Sequence, residues 1–436
     1  MAKIKLIHKE HKDNGRRNIY FLGIKILSYK RKKKKVSAVA LEKIQSNYKA
    51  IEAKLRQKEI IKVAFLVGLP SMFPAKPLME KMLSDPKFHV SIIIIPDFRF
   101  GDKRAKDSLE QCQQELSKFK DHLYIVPFNK KEDDIDLKSL ADIIFLPFCY
   151  DVSHPKYNLM NIIKNGILPA LVNYATYNTI YDRYTLISSE RFGLFWKIFV
   201  DEKYSLKEFQ EFSPLKGDNA VLTGYCKMDN FKNIPHPHEK KTIIIAPHHS
   251  IKGGFNDLIQ LSNFLEYADL FLRLPDMYPD IHFIFRPHPA LFPVLERDTF
   301  WGKEKADNYM KEMADKKNVM ISLSGDYFKE FAESDAIIQD CGSFLTEYFW
   351  TKKPQCYLLK SPEDIEKKFI PFGKACLNHC YLGYTEQDIL NFIDNVIIKG
   401  DDPKKLEREK FAMNEVMVNY PNASEAIINY LKENFQ

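Results

Sequence analysis

The sequence predicts an α/β protein built from two Rossmann-like domains that face each other across a cleft, preceded by a basic N-terminal arm. Short, almost wholly apolar runs, typical of strands buried on both faces, alternate with longer segments of helical spacing. This alternation starts twice, at residues 60–69 and again at 241–246. A length of 436 residues, with 45% hydrophobic and 28% charged residues, fits two ordinary domains. The cleft between them is the expected ligand site.

Residues 1–58 form the predicted arm and its helix. They hold 18 Lys/Arg against 4 Asp/Glu, a net charge of +14, whereas the whole chain carries +7. An apolar patch at 18–29, followed by a basic run at 30–35, predicts association with an anionic membrane face. A small β-hairpin with a solvated charge run and a nucleic-acid contact are the alternatives, and we predict no nucleic-acid partner because no later segment interleaves aromatic with basic residues. Helical spacing predicts a helix over 37–59.

The first domain is predicted over residues 59–205. Its expected strands cover residues 60–69, 89–96, 123–128, 141–148 and 170–174, with helices over 76–84 and 106–120. Two short strands are expected near the hinge, at residues 197–201 and 220–223.

The second domain is predicted over 206–400, followed by a C-terminal helical segment over 401–436. Its expected strands cover residues 241–246, 282–285, 319–322, 336–339 and 355–358. Its expected helices cover residues 256–268 and beyond, 303–316, 328–333 and 388–397. The C-terminal segment is expected to form a further helix over 422–434.

The remaining composition predicts a cytoplasmic protein. The sequence contains no run of 18 apolar residues, so no transmembrane helix is predicted. The first thirty residues are also expected to lack a secretory signal. Seven scattered cysteines suit a reducing compartment. Cys376, His379 and Cys380 are spaced like metal ligands but lack a second ligand pair, so no metal site is predicted.

The stretch 334–348, SDAIIQDCGSFLTEY, is the strongest candidate site. An apolar strand runs into Asp340, and Gly342 and Ser343 then turn the chain into a helix that carries Glu347. Backbone N–H groups at such a helix start favour a phosphate, Ser343 adds a hydroxyl donor, and Glu347 can accept the hydroxyls of a ribose. Turns of this kind also occur in α/β domains as purely structural features.

Two further residue groups are expected on the same rim, because ligands bind at the carboxyl ends of parallel strands. Arg286 and His288 follow one strand in the sequence RPHP. Arg286 either donates to the ligand or pairs with a carboxylate such as Asp340. His248 and His249 follow another strand, and they either contact the phosphates or cap a turn.

These segments resemble a known family. The segments GYCKMD at 224–229, IIIAPHHS, FRPHP and SDAIIQDCGSFLTEYFWTKKPQCYL resemble, in this order, the motifs of CDP-glycerol glycerophosphotransferases. That family makes teichoic-acid-like and capsular polymers on the two-domain GT-B fold. The resemblance covers residues 197–400 with motif strength and residues 60–196 only in pattern.

The resemblance implies roles for individual residues. Asp340, Gly342 and Ser343 would hold the donor diphosphate, and Glu347 would anchor the ribose. His288 would stabilise charge on the bridging phosphate as a hydrogen-bond donor. Arg286 would add a second positive donor. No cofactor or metal ion is implied.

The sequence departs from the family at two places. The family ends a first-domain strand with His-Gly, whereas residues 171–177 here read LVNYATY and contain no histidine. Asp151 and His154, after the fourth strand, are therefore the candidates for the general base, unless they are simple turn residues. Gly342 replaces the first serine of the family's D-x-S-S motif, so the donor need not be CDP-glycerol.

The sequence therefore predicts a transferase that moves glycerol phosphate, or a related phosphopolyol, from a CDP-activated donor to a hydroxyl. The acceptor would be a cell-surface polysaccharide or a lipid-linked primer, reached at the inner face of the cell membrane. One alternative is a GT-B glycosyltransferase that uses a nucleotide sugar for capsule or lipopolysaccharide synthesis. Another, from a different class, is a non-catalytic binding subunit of a polysaccharide assembly complex.

Overall fold

The computed structural model describes residues 7–11, 16–21, 24–30, 38–129, 134–232, 240–254, 259–323 and 325–436. The chain forms two compact units, residues 1–44 and 45–436. The smaller unit holds a three-stranded antiparallel sheet, with strands β1 (Ile7–His11), β2 (Arg16–Phe21) and β3 (Ile24–Lys30). The apolar patch at 18–29 is thus divided between β2 and β3, as the hairpin alternative expects, and residues 31–35 of the basic run lie outside the described residues.

A seven-stranded parallel sheet forms the first domain of the larger unit. Its strands are β4 (Ile61–Val67), β5 (Phe88–Ile94), β6 (Leu123–Ile125), β7 (Ile143–Leu146), β8 (Leu168–Val172), β9 (Lys197–Val200) and β10 (Ala220–Leu222). The helices around it are α2 (Lys76–Met82), α3 (Asp102–Glu115), α4 (Leu137–Leu140), α5 (Leu159–Lys164) and α6 (Lys203–Phe212), and α1 (Ala38–Leu55) begins in the smaller unit and ends in the larger one. β4 lies inside the sheet, with β5 and β6 on one side and β7 to β10 on the other.

A six-stranded parallel sheet forms the second domain. Its strands are β11 (Thr242–Ala246), β12 (His282–Phe285), β13 (Val319–Ile321), β14 (Ala336–Gln339), β15 (Gln355–Leu358) and β16 (Tyr381–Gly383). Its helices are α7 (Phe264–Met277), α8 (Leu291–Leu295), α9 (Gly302–Ala314), α10 (Phe328–Glu333), α11 (Gly342–Glu347), α12 (Glu363–Lys368), α13 (Pro371–Asn378) and α14 (Glu386–Asn391), and the C-terminal segment adds α15 (Lys405–Phe411) and α16 (Ala423–Asn434). The strand order reverses between β11 and β14. Two doubly wound parallel sheets confirm the predicted fold class.

Both faces of the second sheet are buried, which explains its unbroken apolar strands. Ile243 and Ile245 point into one hydrophobic cluster, whereas Ile244 and Ala246 point into the cluster on the opposite face. Because successive side chains of a strand alternate between faces, only a strand covered on both sides needs apolar residues at every position.

The C-terminal segment returns to the first domain, where Tyr430 on α16 packs against Phe199 on β9. The Asp229 carboxylate accepts the N–H groups of Ala423 and Ser424 (3.1 and 2.7 Å), which caps the start of α16. Gly224 has φ +87°, and a Cβ there would lie 2.1 Å from the carbonyl oxygen of Val418. Glycine is therefore required where the segment GYCKMD meets the C-terminal chain.

Some boundaries differ from the predicted ones. β10 pairs with β9, so the first sheet continues beyond the boundary predicted at residue 205. The helix predicted from 256 starts only at Phe264, and residues 255–258 lie outside the described residues. The N–H groups of Leu261 and Asn263 donate to Ser250 and Asp340 instead of to a helical turn, which keeps this stretch out of the helix.

Candidate functional site

The candidate site lies where the strand order of the second sheet reverses. His248 and His249 follow β11, Arg286 and His288 follow β12, and the turn from Asp340 follows β14. β11 pairs with both β12 and β14, so the sheet brings all three strand ends to one rim. This is the position at which open α/β sheets bind ligands.

Three imidazole rings form the centre of the site. The ring of His249 stacks on that of His288, with centroids 4.0 Å apart, and lies 4.3 Å from the ring of His248. The ring centroids of His248 and His288 are 5.1 Å apart, and the ring planes are inclined by 68°. The sheet therefore brings together His248, His249 and His288, which the sequence placed on one rim.

The tautomer of His288 follows from a backbone contact. The N–H of Ala290 donates to Nδ1 of His288 at 3.1 Å. A nitrogen that accepts a hydrogen bond carries no proton, so the proton of the neutral ring is on Nε2. His288 therefore presents an N–H donor through Nε2.

Burial keeps the imidazoles neutral. It holds the pKa of His248 and of His288 well below the ordinary value, and it lowers the pKa of His249 to about 4. The positive charge of Arg104, on α3 of the first domain, further lowers the pKa of His288. The cluster can donate hydrogen bonds to an anion at neutral pH without being charged itself.

The low pKa of His249 predicts a loss of stability in acid. The unfolded chain binds a proton below about pH 6.5, whereas folded His249 resists protonation down to about pH 4. Stability therefore falls as the pH drops through this window, by about 2 kcal/mol between pH 7 and pH 5 for this one residue. Urea unfolding at both pH values should show a shallower fall in His249→Asn.

The matched control for that prediction is His89→Asn, since His89 lies on β5 with an exposed side chain. This variant should keep the wild-type pH dependence. The comparison cancels the opposite contribution of Asp340, whose carboxyl has its pKa raised by burial to about 7. An unchanged pH dependence in His249→Asn would contradict the prediction.

Asp340 holds the site together from beneath. It is fully buried, and its two oxygens accept the backbone N–H groups of His248 (2.6 Å) and Asn263 (2.5 Å). Its carboxylate is thus used to join the ends of β11 and β14 and the stretch before α7. This geometry fits a residue that positions the histidines.

The turn into α11 is partly exposed at Gly342 and Ser343. A loop of the first domain reaches this turn, because the side-chain amide of Asn178 donates to the carbonyl of Gly342 at 2.7 Å. The hydroxyls of Thr176 and Thr346 also form a hydrogen bond between the domains. The candidate phosphate turn therefore lies at the junction of the two domains.

Glu347 lies one turn further along α11 and is fully buried. It accepts hydrogen bonds from Lys227 (2.9 Å) and from the hydroxyl of Tyr327, and the hydroxyl of Tyr225 is 3.0 Å away. A ribose would reach its carboxylate only if some of these bonds broke.

Arg286 is also buried and pairs with a different carboxylate from the one considered in the sequence. Its guanidinium donates to Glu330 at 2.8 Å and to the hydroxyl of Ser322. Part of its charge is therefore balanced within the second domain.

Asp151 and His154 both lie after β7 in the first domain. Asp151 pairs with Arg191 through both oxygens (2.6 and 3.1 Å) and accepts the N–H of Leu159 at the start of α5. The ring of His154 packs edge-on against Phe98, and its Nε2 is buried without a hydrogen-bond partner among the described residues. His154 thus retains an unused nitrogen, whereas Asp151 has structural partners.

A polar cluster on the rim of the first domain was not predicted. Arg99 forms an ion pair with the buried Asp97, donates to the hydroxyl of Tyr150 at 2.8 Å and lies over the ring of Phe148. Asp97 and Arg99 directly follow β5. The strand-end rule that identified RPHP would have found them as well.

The histidine cluster also has the spacing of a metal site, because one ring nitrogen from each of its three residues lies within 4.8 Å of the others. It is the one such group found in the described parts of the chain. A metal ion needs the lone pair of a ring nitrogen, and in His288 the accepting lone pair on Nδ1 already binds the N–H of Ala290. The chemistry of this set therefore favours donation to an anion.

The two sheets and the site between them define a protein of the GT-B fold. No protein-family model matches the chain, and no curated protein sequence does either. Among solved structures, it is similar to a variant of the wall teichoic acid polymerase TagF with CDPG, with 14% identity, a TM-score of 0.56, and coverage of 91% of this chain and 94% of that one.

Two other solved structures share the fold. A Neisseria meningitidis UDP-GlcNAc 2-epimerase bound to UDP-GlcNAc shows 15% identity and a TM-score of 0.54, covering 85% of this chain and 99% of that one. S. aureus MnaA with UDP shows 16% identity and a TM-score of 0.52, covering 86% and 98%. In the described residues, no helix combines the length and apolar character needed to span a bilayer.

Proposed function

We propose that the protein is a transferase that takes glycerol phosphate, or a related phosphopolyol, from a CDP-activated donor and passes it to a hydroxyl of a cell-surface polysaccharide or lipid-linked primer. One observation carries the proposal. The half-buried, neutral ring of His288 has its proton fixed on Nε2, on the same rim as the partly exposed turn at Gly342 and Ser343. A diphosphate has the charge and the acceptor oxygens that such a rim recognises.

The proposed reaction requires little covalent chemistry from the protein. The acceptor oxygen attacks the β-phosphorus, the bond from that phosphorus to the bridging oxygen breaks, and CMP leaves with the electron pair. His288 donates a hydrogen bond where this charge develops. The acceptor proton passes to a base of the first domain, for which His154 is a better candidate than Asp151 because its Nε2 is unused. Gly342 and Ser343 hold the phosphates, and Asp340 positions His248.

A nucleotide-sugar glycosyltransferase is the second candidate. It is favoured by the similarity to the two structures that contain UDP or UDP-GlcNAc. The diphosphate would occupy the same rim, so His288 would have the same role. The difference would lie in the nucleobase and in the atom attacked, which is an anomeric carbon instead of phosphorus.

Donor screening tests these alternatives. A thermal-shift series with CDP-glycerol, UDP-, GDP- and dTDP-linked sugars should identify the donor, since a ligand at 100 times its Kd stabilises the fold by about 2.7 kcal/mol. Mass spectrometry of the product then separates a phosphodiester from a glycoside. Binding without any turnover would favour the non-catalytic assembly subunit, and no binding of any donor would contradict the proposal.

The N-terminal arm gives a separate prediction, since we propose that it keeps a cytoplasmic enzyme at the inner membrane face. Removing residues 1–35 should abolish sedimentation with anionic vesicles, because each basic residue near the surface contributes about 1 kcal/mol. Activity towards a soluble acceptor should remain. A full-length variant with the six basic residues at 30–35 changed to glutamine is the matched control for charge, and equal binding to neutral vesicles would contradict the electrostatic explanation.

A further inference from the structure

We propose that His248 is a second N–H donor to the diphosphate, and that Ser250 is the positioning residue that fixes its tautomer. This inference rests on the proposed function for the identity of the ligand. The tautomer itself follows from geometry alone and can be measured without any ligand.

Ser250 is almost completely buried, and two of its groups converge on one atom of His248. Its hydroxyl oxygen is 2.7 Å from Nδ1 of His248, and its own N–H donates to the same nitrogen at 3.3 Å. Since a backbone N–H can only donate, Nδ1 is the acceptor. The neutral ring therefore carries its proton on Nε2.

The hydroxyl of Ser250 is itself held in the orientation that donation requires. Its oxygen accepts the N–H of Leu261 at 2.9 Å. This bond uses one of the two lone pairs of the oxygen, and because Nδ1 of His248 is an acceptor, the hydroxyl proton is what donates to it. Leu261, in the stretch before α7, therefore helps to hold the hydroxyl that fixes the tautomer of His248, in the loop after β11.

His248 and His288 therefore have the same tautomer for the same reason. Each ring is neutral because of burial, and each has Nδ1 occupied by a donor from a residue two positions further along the chain, Ser250 or Ala290. Asp340 additionally fixes the backbone of His248 through its N–H. Two rings whose planes are inclined by 68° thus present Nε2–H groups on the rim, which form a donor pair for two oxygens of one phosphate group.

The opposite tautomer would present a lone pair to the phosphate, and repulsion would replace the hydrogen bond. Ser250→Ala removes the hydroxyl donor and leaves only the longer backbone contact. Ser250→Thr keeps the hydroxyl. The buried Ser262, which precedes α7, offers a matched control as Ser262→Ala.

The first measurement is the histidine ¹⁵N spectrum of the full-length protein at neutral pH. We expect wild type, Ser250→Thr and Ser262→Ala to carry the His248 proton on Nε2, and Ser250→Ala to show both tautomers. A wild-type spectrum with the proton on Nδ1 would overturn the inference whatever the function of the protein.

The second measurement is calorimetric binding of CDP, UDP, CMP and UMP. For the diphosphate that wild type binds, Kd should rise about tenfold in Ser250→Ala and in His248→Ala, and the matching monophosphate should change less than about twofold. Unchanged diphosphate binding in both variants would overturn this inference and leave the proposed function standing. A wild-type protein that binds neither diphosphate nor any donor of the thermal-shift series would overturn the proposed function, and the ligand assigned here with it. If wild type binds only an intact donor, the same comparison of variants is made with that donor.

Discussion

His288→Ala is expected to lower kcat by about a hundred- to a thousandfold, the usual effect of removing one preorganised donor to a developing negative charge. The fold should persist, because the ring is at the rim and its removal leaves the strand β12 intact. Product formation from the identified donor, measured by mass spectrometry, gives kcat. Calorimetry gives the affinity for the donor in the same variant.

His288→Gln makes the test specific. Its side-chain amide retains an N–H donor but cannot carry a proton to or from the substrate. If His288 acts as a hydrogen-bond donor, we expect this variant to retain more activity than alanine, whereas a proton-transfer role predicts equal losses. His282→Gln is the matched control, since His282 is the first residue of the same strand, at the end away from the site. Near-normal kcat in His288→Ala would remove His288 from the mechanism.

The split between kcat and affinity carries further information. A donor that acts equally on substrate and transition state changes Kd, and one that acts mainly on the transition state changes kcat. We expect His288 to affect chiefly kcat, because the proposed mechanism places its N–H where charge develops, and His248 to affect chiefly Kd. Equal effects in both variants would indicate that the two rings contact the same oxygen.

The sequence predicted the rim but not the partners of its residues. Strand ends such as RPHP are visible because apolar runs mark buried strands and polar residues mark where they stop. The partner of Arg286 is Glu330, which lies 44 residues later, and no periodic pattern connects the two. Pairing across such distances depends on how helices cover the sheet, which one sequence does not specify.

Asp340 and Glu347 illustrate the same difference for burial. Asp340 ends a predicted strand and Glu347 lies on the helix predicted after it, so the sequence analysis assigned both carboxylates to the ligand. In the structure both are fully buried and bound to protein groups, Asp340 to backbone N–H groups and Glu347 to Lys227 and two tyrosines. A carboxylate at a strand end can face the ligand or support the residues that do, and only the packed structure separates these roles.

The pair Lys227–Glu347 gives the second large prediction. Lys227 lies in the segment between the two sheets, and Glu347 is on α11, the helix that starts with the candidate phosphate turn. Asp201, a buried carboxyl at the end of β9, lies near enough for Glu347 to raise its pKa and for Lys227 to lower it, although burial is the largest influence. One ammonium group thus serves two buried acids contributed by different domains.

Lys227→Met is expected to destabilise the protein by about 3–5 kcal/mol, because it leaves Glu347 as a buried charge without its counter-ion. Urea unfolding followed by tryptophan fluorescence measures this, and Trp350, beside Tyr225, reports on the region. The double variant Lys227→Met with Glu347→Gln should recover a large part of the loss, since a neutral amide avoids the charge penalty. The exposed Lys252→Met is the control for removing a lysine. A loss below about 1 kcal/mol in the single variant would place this pair with solvent-exposed ion pairs, and α11 would then be held to the first domain mainly by Asn178 and Thr176.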